Sequence, residues 1–123
     1  MAELAALLAE YTKVRGVTAA VLVGQDGLLL HGEMAADAVD FDLEAIGALA
    51  ASSLPAAHDT VAEIGPGRLV QAVLEHEGGV VVIEPIEDVA VLVIAAAAAA
   101  NLGLLRVTTR RLRRELEQVL VAP

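Results

Sequence analysis

The fold of this chain is decided by residues 16–28, which read GVTAAVLVGQDGL. Residues 17–23 are apolar on both faces of an extended chain, a pattern typical of a central strand that is covered on both sides. Asp26-Gly27 then stands between two apolar runs, and it predicts a hairpin with a type I′ turn, whose two central residues both need a positive φ. The stretch therefore predicts a central strand that turns back into a second strand over residues 28–34.

A short helix is predicted before this hairpin. Apolar side chains recur there at steps of three and four, which is the spacing of one buried helix face. These side chains are Leu4, Leu7, Leu8, Tyr11 and Val14. Arg15-Gly16 is expected to end the helix.

A second helix is predicted to follow the hairpin. Asp37, Asp40 and Asp42 precede it, and their carboxylates can cap free N–H groups and interact favourably with the helix dipole. We expect the helix to begin near Asp40 or Asp42. Pro55 is expected to kink it or to end it near Leu54.

Both faces of this second helix lack charge. One face carries Leu43, Ile46, Gly47, Ala50, Leu54 and Ala57, and the opposite face carries Ala45, Ala48, Leu49, Ser52 and Ala56. A helix that covers a sheet needs only one apolar face, so the small residues of the second face predict close approach by another helix. The alternative is a solvated face on which alanine is simply a good helix former. The absence of Lys, Glu and Arg from that face favours a contact surface for another helix.

Three further strands and a third helix complete the pattern. Gly65-Pro66-Gly67 predicts a turn, and strand-like segments follow at residues 68–76, 80–86 and 89–96. The bends between them are so short that neighbouring strands must run antiparallel. A last helix is expected from about Asn101, with an apolar stripe of Leu105, Leu112, Leu116 and Val119.

The resulting order α-β-β-α-β-β-β-α predicts an α+β fold, an α/β sandwich in which helices cover both faces of one five-stranded antiparallel sheet. We assign residues 1–123 to a single domain. Because 57% of the residues are apolar, the chain is not of the disordered class. The 25 alanines and the 2% of aromatic residues leave Leu, Val and Ile to fill the core, and they argue against a large ligand pocket.

Charge and cysteine content exclude further classes of protein. The chain has no cysteine, so it has no disulfide framework and no thiolate chemistry. Met1-Ala2-Glu3 opens without the basic residues of a signal peptide, and we expect a cytoplasmic protein. The net charge of −9 argues against binding of nucleic acid, which relies on clustered Lys and Arg.

One uncharged run, residues 89–105, is at the lower length limit of a transmembrane helix. Its first part is β-branched, its alanines are only weakly lipophilic, and Asn101 and Gly103 interrupt it. A buried strand followed by a helix fits this composition better, so we expect no transmembrane segment.

No catalytic, cofactor or metal constellation is recognisable. Ser52 and Ser53 lie within the second helix and not on a strand-to-helix elbow, and His31, His58 and His76 lack metal-ligand spacing. A further group of carboxylates surrounds two hairpin ends, and we interpret it as solvated charge rather than as a paired-carboxylate site. This group is Glu75, Glu77, Glu84, Glu87 and Asp88.

The last helix is an exception to the acidic balance. Five of the eight basic residues lie in it, namely Arg106, Arg110, Arg111, Arg113 and Arg114. Arg106, Arg110, Arg113 and Arg114 are our candidate partner-binding residues, because such a stripe can attract an acidic partner or an anionic membrane surface. The alternative is an ordinary charged face whose arginines pair internally, Arg110 with Glu117 or Arg111 with Glu115.

These features together resemble the Roadblock family of dynein light chains and its bacterial MglB-type members. The resemblance rests on residues 16–28, on the alanine-rich second helix, and on Asn101-Leu102-Gly103-Leu104-Leu105-Arg106 before the Arg/Glu-rich helix. It covers nearly the whole chain and implies the profilin-like Roadblock fold. It also implies dimers formed by the second helices and by sheets joined edge to edge. In bacteria it implies binding of a small Ras-like GTPase whose switch regions are remodelled without an arginine finger.

The resemblance implies a regulator without an active site of its own, a homodimer that acts on a Ras-like GTPase. A scaffold or light-chain adaptor, which holds a signalling or motor complex without changing nucleotide turnover, is the alternative. A small-molecule sensor is a third possibility, against which the shortage of aromatic residues counts. The GTPase-contacting positions form no readable signature in this sequence.

Overall fold

The computed structural model describes residues 2–36 and 40–121, so Asp37 of the predicted capping group lies outside the described residues. The helices are α1 (Ala2–Thr12), α2 (Leu43–Ile64) and α3 (Leu102–Val121). The strands are β1 (Val17–Gly24), β2 (Leu29–Met34), β3 (Ala72–His76), β4 (Gly79–Ile86) and β5 (Ala90–Ala97). The predicted order of elements is confirmed.

The five strands form one antiparallel sheet in the order β2-β1-β5-β4-β3. Residues 16–28 supply an interior strand of it, since β1 pairs with β2 on one side and with β5, the middle strand, on the other. Leu8 of α1 and Leu112 of α3 pack on one face of the sheet, while Ala50 and Leu54 of α2 pack on the other. The α+β sandwich with helices on both faces of the sheet is therefore confirmed.

The predicted hairpin between β1 and β2 forms, but its turn is not type I′. Only Gly27 has a positive φ, of 83°, and the Gly27 amide donates to the Gly24 carbonyl. The Asp26 side chain accepts a hydrogen bond from the Leu28 amide at 3.0 Å. The register shifts between Leu22 and Val23, as expected when a turn that ends in one left-handed glycine is followed by a bulge.

The second helix begins as predicted, and of the two outcomes expected at Pro55, a kink or an end near Leu54, the end is wrong. Asp42 is its N-cap, and its carboxylate accepts a hydrogen bond from the Ala45 amide at 3.1 Å. Pro55 does not end the helix, which continues to Ile64. Beyond the proline, Ala57 and Val61 are half-buried, and the Gly65 amide still donates to the Val61 carbonyl at 3.1 Å.

The third strand is shorter than predicted, because residues 68–71 do not pair with β4. In the observed register Ala72 pairs with Ile83, so continuing the ladder would place Val70 opposite Pro85. Proline has no N–H to donate to such a partner. The edge of β4 beside Pro85 is therefore left without a neighbouring strand.

The run of residues 89–105 is a strand followed by the start of α3, as predicted. Ile94 and Leu105 from its two parts both belong to the core cluster on the α1 and α3 face of the sheet. Among residues 2–36 and 40–121, no helix combines the length and the apolar character needed to cross a membrane.

Candidate functional site

The outer face of α2 is exposed along its length. The side chains predicted to form a dimer interface, Ala45, Ala48, Leu49, Ser52 and Ala56, are all exposed, and the Leu49 residue is 71% exposed. The opposite face contacts the sheet so closely that a Cβ on Gly47 would collide with Cγ1 of Val23. The helix therefore lies directly on β1 and turns a surface of small side chains away from the sheet.

The edge strand β3 is apolar and uncovered on both faces of the sheet. Val73 and Leu74 point to opposite faces, and they are 50% and 53% exposed. Ile64, at the end of α2, is 83% exposed. Exposed apolar groups on an edge strand and at the end of a helix are the features of a surface that another protein can cover.

The structure divides the candidate arginines of α3 into two groups. Arg106, Arg110 and Arg114 are exposed. Arg113 is not, because its guanidinium group makes an ion pair with Glu84 and a second one with Glu117, in which Nε lies 2.9 Å from Oε1. The same group donates from Nη2 to the Pro85 carbonyl at 3.0 Å, so Arg113 ties α3 to the end of β4.

The predicted internal pairs of Arg110 with Glu117 and Arg111 with Glu115 are wrong. Glu117 pairs with Arg113, one helical turn away, and Arg111 pairs with Glu10 of α1 at 3.3 Å. Internal pairing thus occupies Arg111 and Arg113, whereas Arg106, Arg110 and Arg114 form no ion pair within the described part of the chain.

Glu84 is not the solvated residue that the sequence predicted, since it is only 5% exposed. Its side chain points to the sheet face covered by α1 and α3, because β4 pairs Glu84 with Leu92, which belongs to the core on that face. Burial raises the pKa of the Glu84 carboxyl, and although the hydrogen bond and charge of Arg113 oppose this, the pKa remains above its usual value. The ion pair with Arg113 therefore offsets the desolvation cost of the buried Glu84 carboxylate.

Tyr11 lies beside this ion pair. Burial raises the pKa of its phenol well above the usual value, while the Thr109 side chain opposes this effect and the charge of Glu84 adds to it. The Tyr11 hydroxyl is buried without a hydrogen bond of good geometry. The sequence placed Tyr11 correctly on the buried face of α1, but nothing in it indicated a polar cluster of Tyr11, Glu84, Thr109 and Arg113.

An open cleft of about 880 Å³ lies next to the ion pair, beside Pro85 of β4, where residues 68–71 do not pair with that strand. Arg106, Arg110 and Arg113 of α3 line one side, and Arg68 lines another. Apolar side chains, among them Leu54, form further parts of its wall. The sequence did not predict this cleft, because its residues come from segments that are distant in the chain and meet only in the fold.

Comparison with known proteins is consistent with this architecture. Residues 3–96 match the family model of the Roadblock/LC7 domain, and the match ends before α3. Two uncharacterized proteins of Methanocaldococcus jannaschii are each 35% identical to this chain over 105 residues, which are 85% of this chain and 89% of each relative.

Solved structures show the same fold. The gliding protein mglB from Thermus thermophilus superposes with a TM-score of 0.90 at 20% identity, covering 99% of this chain and 91% of that one. MglB of Myxococcus xanthus superposes with a TM-score of 0.84 at 19% identity, covering 96% of this chain and 94% of that one. Because the Roadblock/LC7 family model matches residues 3–96, well over half of the sequence, the chain belongs to the Roadblock/LC7 family.

Proposed function

We propose that this chain is a non-catalytic, cytoplasmic homodimer that regulates a small Ras-like GTPase. The exposed small-residue face of α2, together with the uncovered edge strand β3, is the observation that carries the proposal. Roadblock membership supports it, because dimerisation through the second helix and the sheet edge is what the resemblance to this family implies.

The dimer has a physical rationale in the exposed side chains. Alanine and serine on the outer face of α2 let a second helix backbone approach closely, and Leu49 supplies apolar area that is otherwise left in water. The free edge of β3 offers unpaired backbone groups that a second copy of β3 can satisfy. The same self-complementary patch on both protomers gives a closed two-fold assembly.

Ala48→Arg is expected to convert the dimer into a monomer. A guanidinium group in the middle of a closely packed helix pair would be desolvated without a partner, which should weaken the dimer by at least about 100-fold. Light scattering coupled to size-exclusion chromatography, over a range of protein concentrations, measures the change. Ala6→Arg, at an exposed alanine of α1, is the matched control and should remain dimeric. A dimer of undiminished stability in Ala48→Arg would place the interface elsewhere.

The GTPase-facing surface is proposed to include α3. Three arginines are exposed on this helix, namely Arg106, Arg110 and Arg114. By contrast, the first 103 residues of the chain carry 15 acidic and only 3 basic side chains. Such a local excess of positive charge can steer and orient an acidic surface of the partner. Because these arginines lie on a helix rather than on a mobile loop, we propose that the dimer acts by repositioning the switch regions and not by inserting an arginine.

The regulatory activity is tested with the Ras-like GTPase of the same host. The wild-type dimer should co-purify with the GTPase in at least one nucleotide state and should change its rate of GTP hydrolysis or nucleotide exchange. Arg114→Glu should weaken this binding several-fold, whereas Lys13→Glu, with the same change of charge on the segment after α1, should not. Binding without any change of rate would instead support the adaptor function. Absence of binding in both nucleotide states would refute the proposal.

A further inference from the structure

We infer that the cleft beside β4 binds a small organic anion, with a phosphate or carboxylate group held by Arg68, Arg106 and Arg110. This activity goes beyond the proposed regulation of a GTPase and is tested without the GTPase, although Arg106 and Arg110 are also among the residues proposed to face that partner. The cleft has a volume of about 880 Å³, which lies within the usual range of small-molecule sites.

The distribution of cationic side chains is the first argument. The chain has eight Lys and Arg residues and a net charge of −9, yet four of its arginines line this one cleft. Arg113 is neutralised by Glu84 and Glu117, which leaves Arg68, Arg106 and Arg110 without an ion pair among residues 2–36 and 40–121. A planar guanidinium group presents paired N–H donors that match the oxygens of phosphate and carboxylate.

The positions of these arginines are the second argument. Arg106 and Arg110 are one helical turn apart on α3, so their side chains emerge as neighbours on the same face. Arg68 lies in the segment between α2 and β3. This segment is separated from α3 in the chain by the whole of β3, β4 and β5. Two segments that are distant in the chain thus bring positive charge to one cleft.

The apolar part of the wall defines the rest of the ligand. Pro55 and Val70, which are exposed, and Leu69, which is half-buried, line the cleft together with the arginines. An apolar body attached to the anionic group can remove this surface from water, which inorganic phosphate cannot do. Glu87 and Asp88 of the β4–β5 turn also line the cleft, and their charge disfavours ligands with several anionic groups.

The rigidity of the site is provided by Arg113. Its bonds to Glu84, Glu117 and the Pro85 carbonyl fix α3 against the end of β4, and Arg106 and Arg110 are carried by the same helix. None of the proposed dimer-interface residues of α2 lines the cleft. The anion site can therefore be present in a monomer as well as in a dimer.

Phenyl phosphate is the first probe, because it combines one phosphate group with a compact apolar body. Titration of isotope-labelled wild-type protein, followed by amide and arginine Nε–H NMR signals at constant ionic strength, should give saturable shifts. The shifts should be confined to residues that line the cleft. Inorganic phosphate should bind there more weakly, and benzyl alcohol, which keeps the ring without the charge, more weakly still.

Arg106→Gln and Arg110→Gln should each weaken the binding of phenyl phosphate by on the order of tenfold. Arg114→Gln is the matched control, since Arg114 is exposed on the same helix but does not line the cleft, and it should leave the affinity unchanged. The inference is overturned if no saturable shift appears, if the shifts spread over the outer face of α3, if Arg114→Gln weakens binding as much as Arg106→Gln, or if benzyl alcohol binds as tightly as phenyl phosphate.

Discussion

Replacement of Arg113 by methionine is expected to lower the free energy of unfolding by about 3 kcal/mol at neutral pH. Methionine keeps much of the aliphatic volume of arginine, so the loss reports the guanidinium group and not a cavity. Without that group, Glu84 becomes a buried carboxylate with no cationic partner, and the Pro85 carbonyl loses its donor. Urea denaturation followed by circular dichroism at fixed protein concentration measures the change.

The pH dependence of the variant identifies Glu84 as the cause. Burial already raises the pKa of Glu84 in the wild type, and removal of Arg113 raises it further. A carboxyl whose pKa is higher in the folded state favours folding while it is protonated, and this advantage is lost as the pH rises above the unfolded value of 4.5. The loss in free energy of unfolding caused by Arg113→Met should therefore be small near pH 4 and should grow towards pH 7.

A double-mutant cycle separates the ion pair from other effects. Glu84→Gln removes the buried charge but leaves Arg113 paired with Glu117, and it should cost no more than about 1 kcal/mol. In the Glu84→Gln, Arg113→Met double variant, most of the 3 kcal/mol loss should be recovered, because no unpaired charge remains. Arg114→Met, at an exposed position, should stay within about 0.5 kcal/mol of the wild type. An equal loss at pH 4 and pH 7 would show that Glu84 is not responsible.

The fold could be predicted because its determinants are local. The two-faced apolar run of β1, the Asp26-Gly27 turn and the three- and four-residue spacing in α1 each specify an element from neighbouring residues alone. The predicted ends of elements were wrong where residues distant in the chain determine the structure. Pro55 does not end α2, which continues to Ile64, and residues 68–71 leave the sheet because the ladder would meet Pro85.

The candidate sites show the same division. Exposure of the outer face of α2 follows from helical periodicity, so Ala48 and Leu49 could be placed on it from sequence. The partner of Arg113 could not be found in this way, because Glu84 lies 29 residues away and is brought to it by the fold. A glutamate within the otherwise apolar run of residues 80–86 was the available signal, since a charge in a buried strand needs a partner.

The second large effect is expected at Gly16, the first residue of the stretch that decides the fold. Gly16 has a φ of 91°, and a Cβ atom at this position would lie closer than 3.0 Å to Cα of Ala100. The Gly16 carbonyl also accepts a hydrogen bond from the Ala97 amide at 2.7 Å, so the backbone of β1 is held against the end of β5 and cannot move aside freely. Gly16→Ala therefore combines left-handed backbone strain with a collision against backbone.

Together, these two effects should lower the free energy of unfolding of Gly16→Ala by about 3 to 4 kcal/mol, again measured by urea denaturation. Gly67→Ala isolates the first effect, because Gly67 also has a positive φ, of 130°, but a Cβ atom there would meet nothing within 4 Å. We expect about 1 to 2 kcal/mol from that strain alone. If both variants lose the same amount, close approach to Ala100 contributes nothing. A larger loss in Gly16→Ala would mean that this glycine is needed both for the turn after α1 and for the contact that joins β1 to the start of α3.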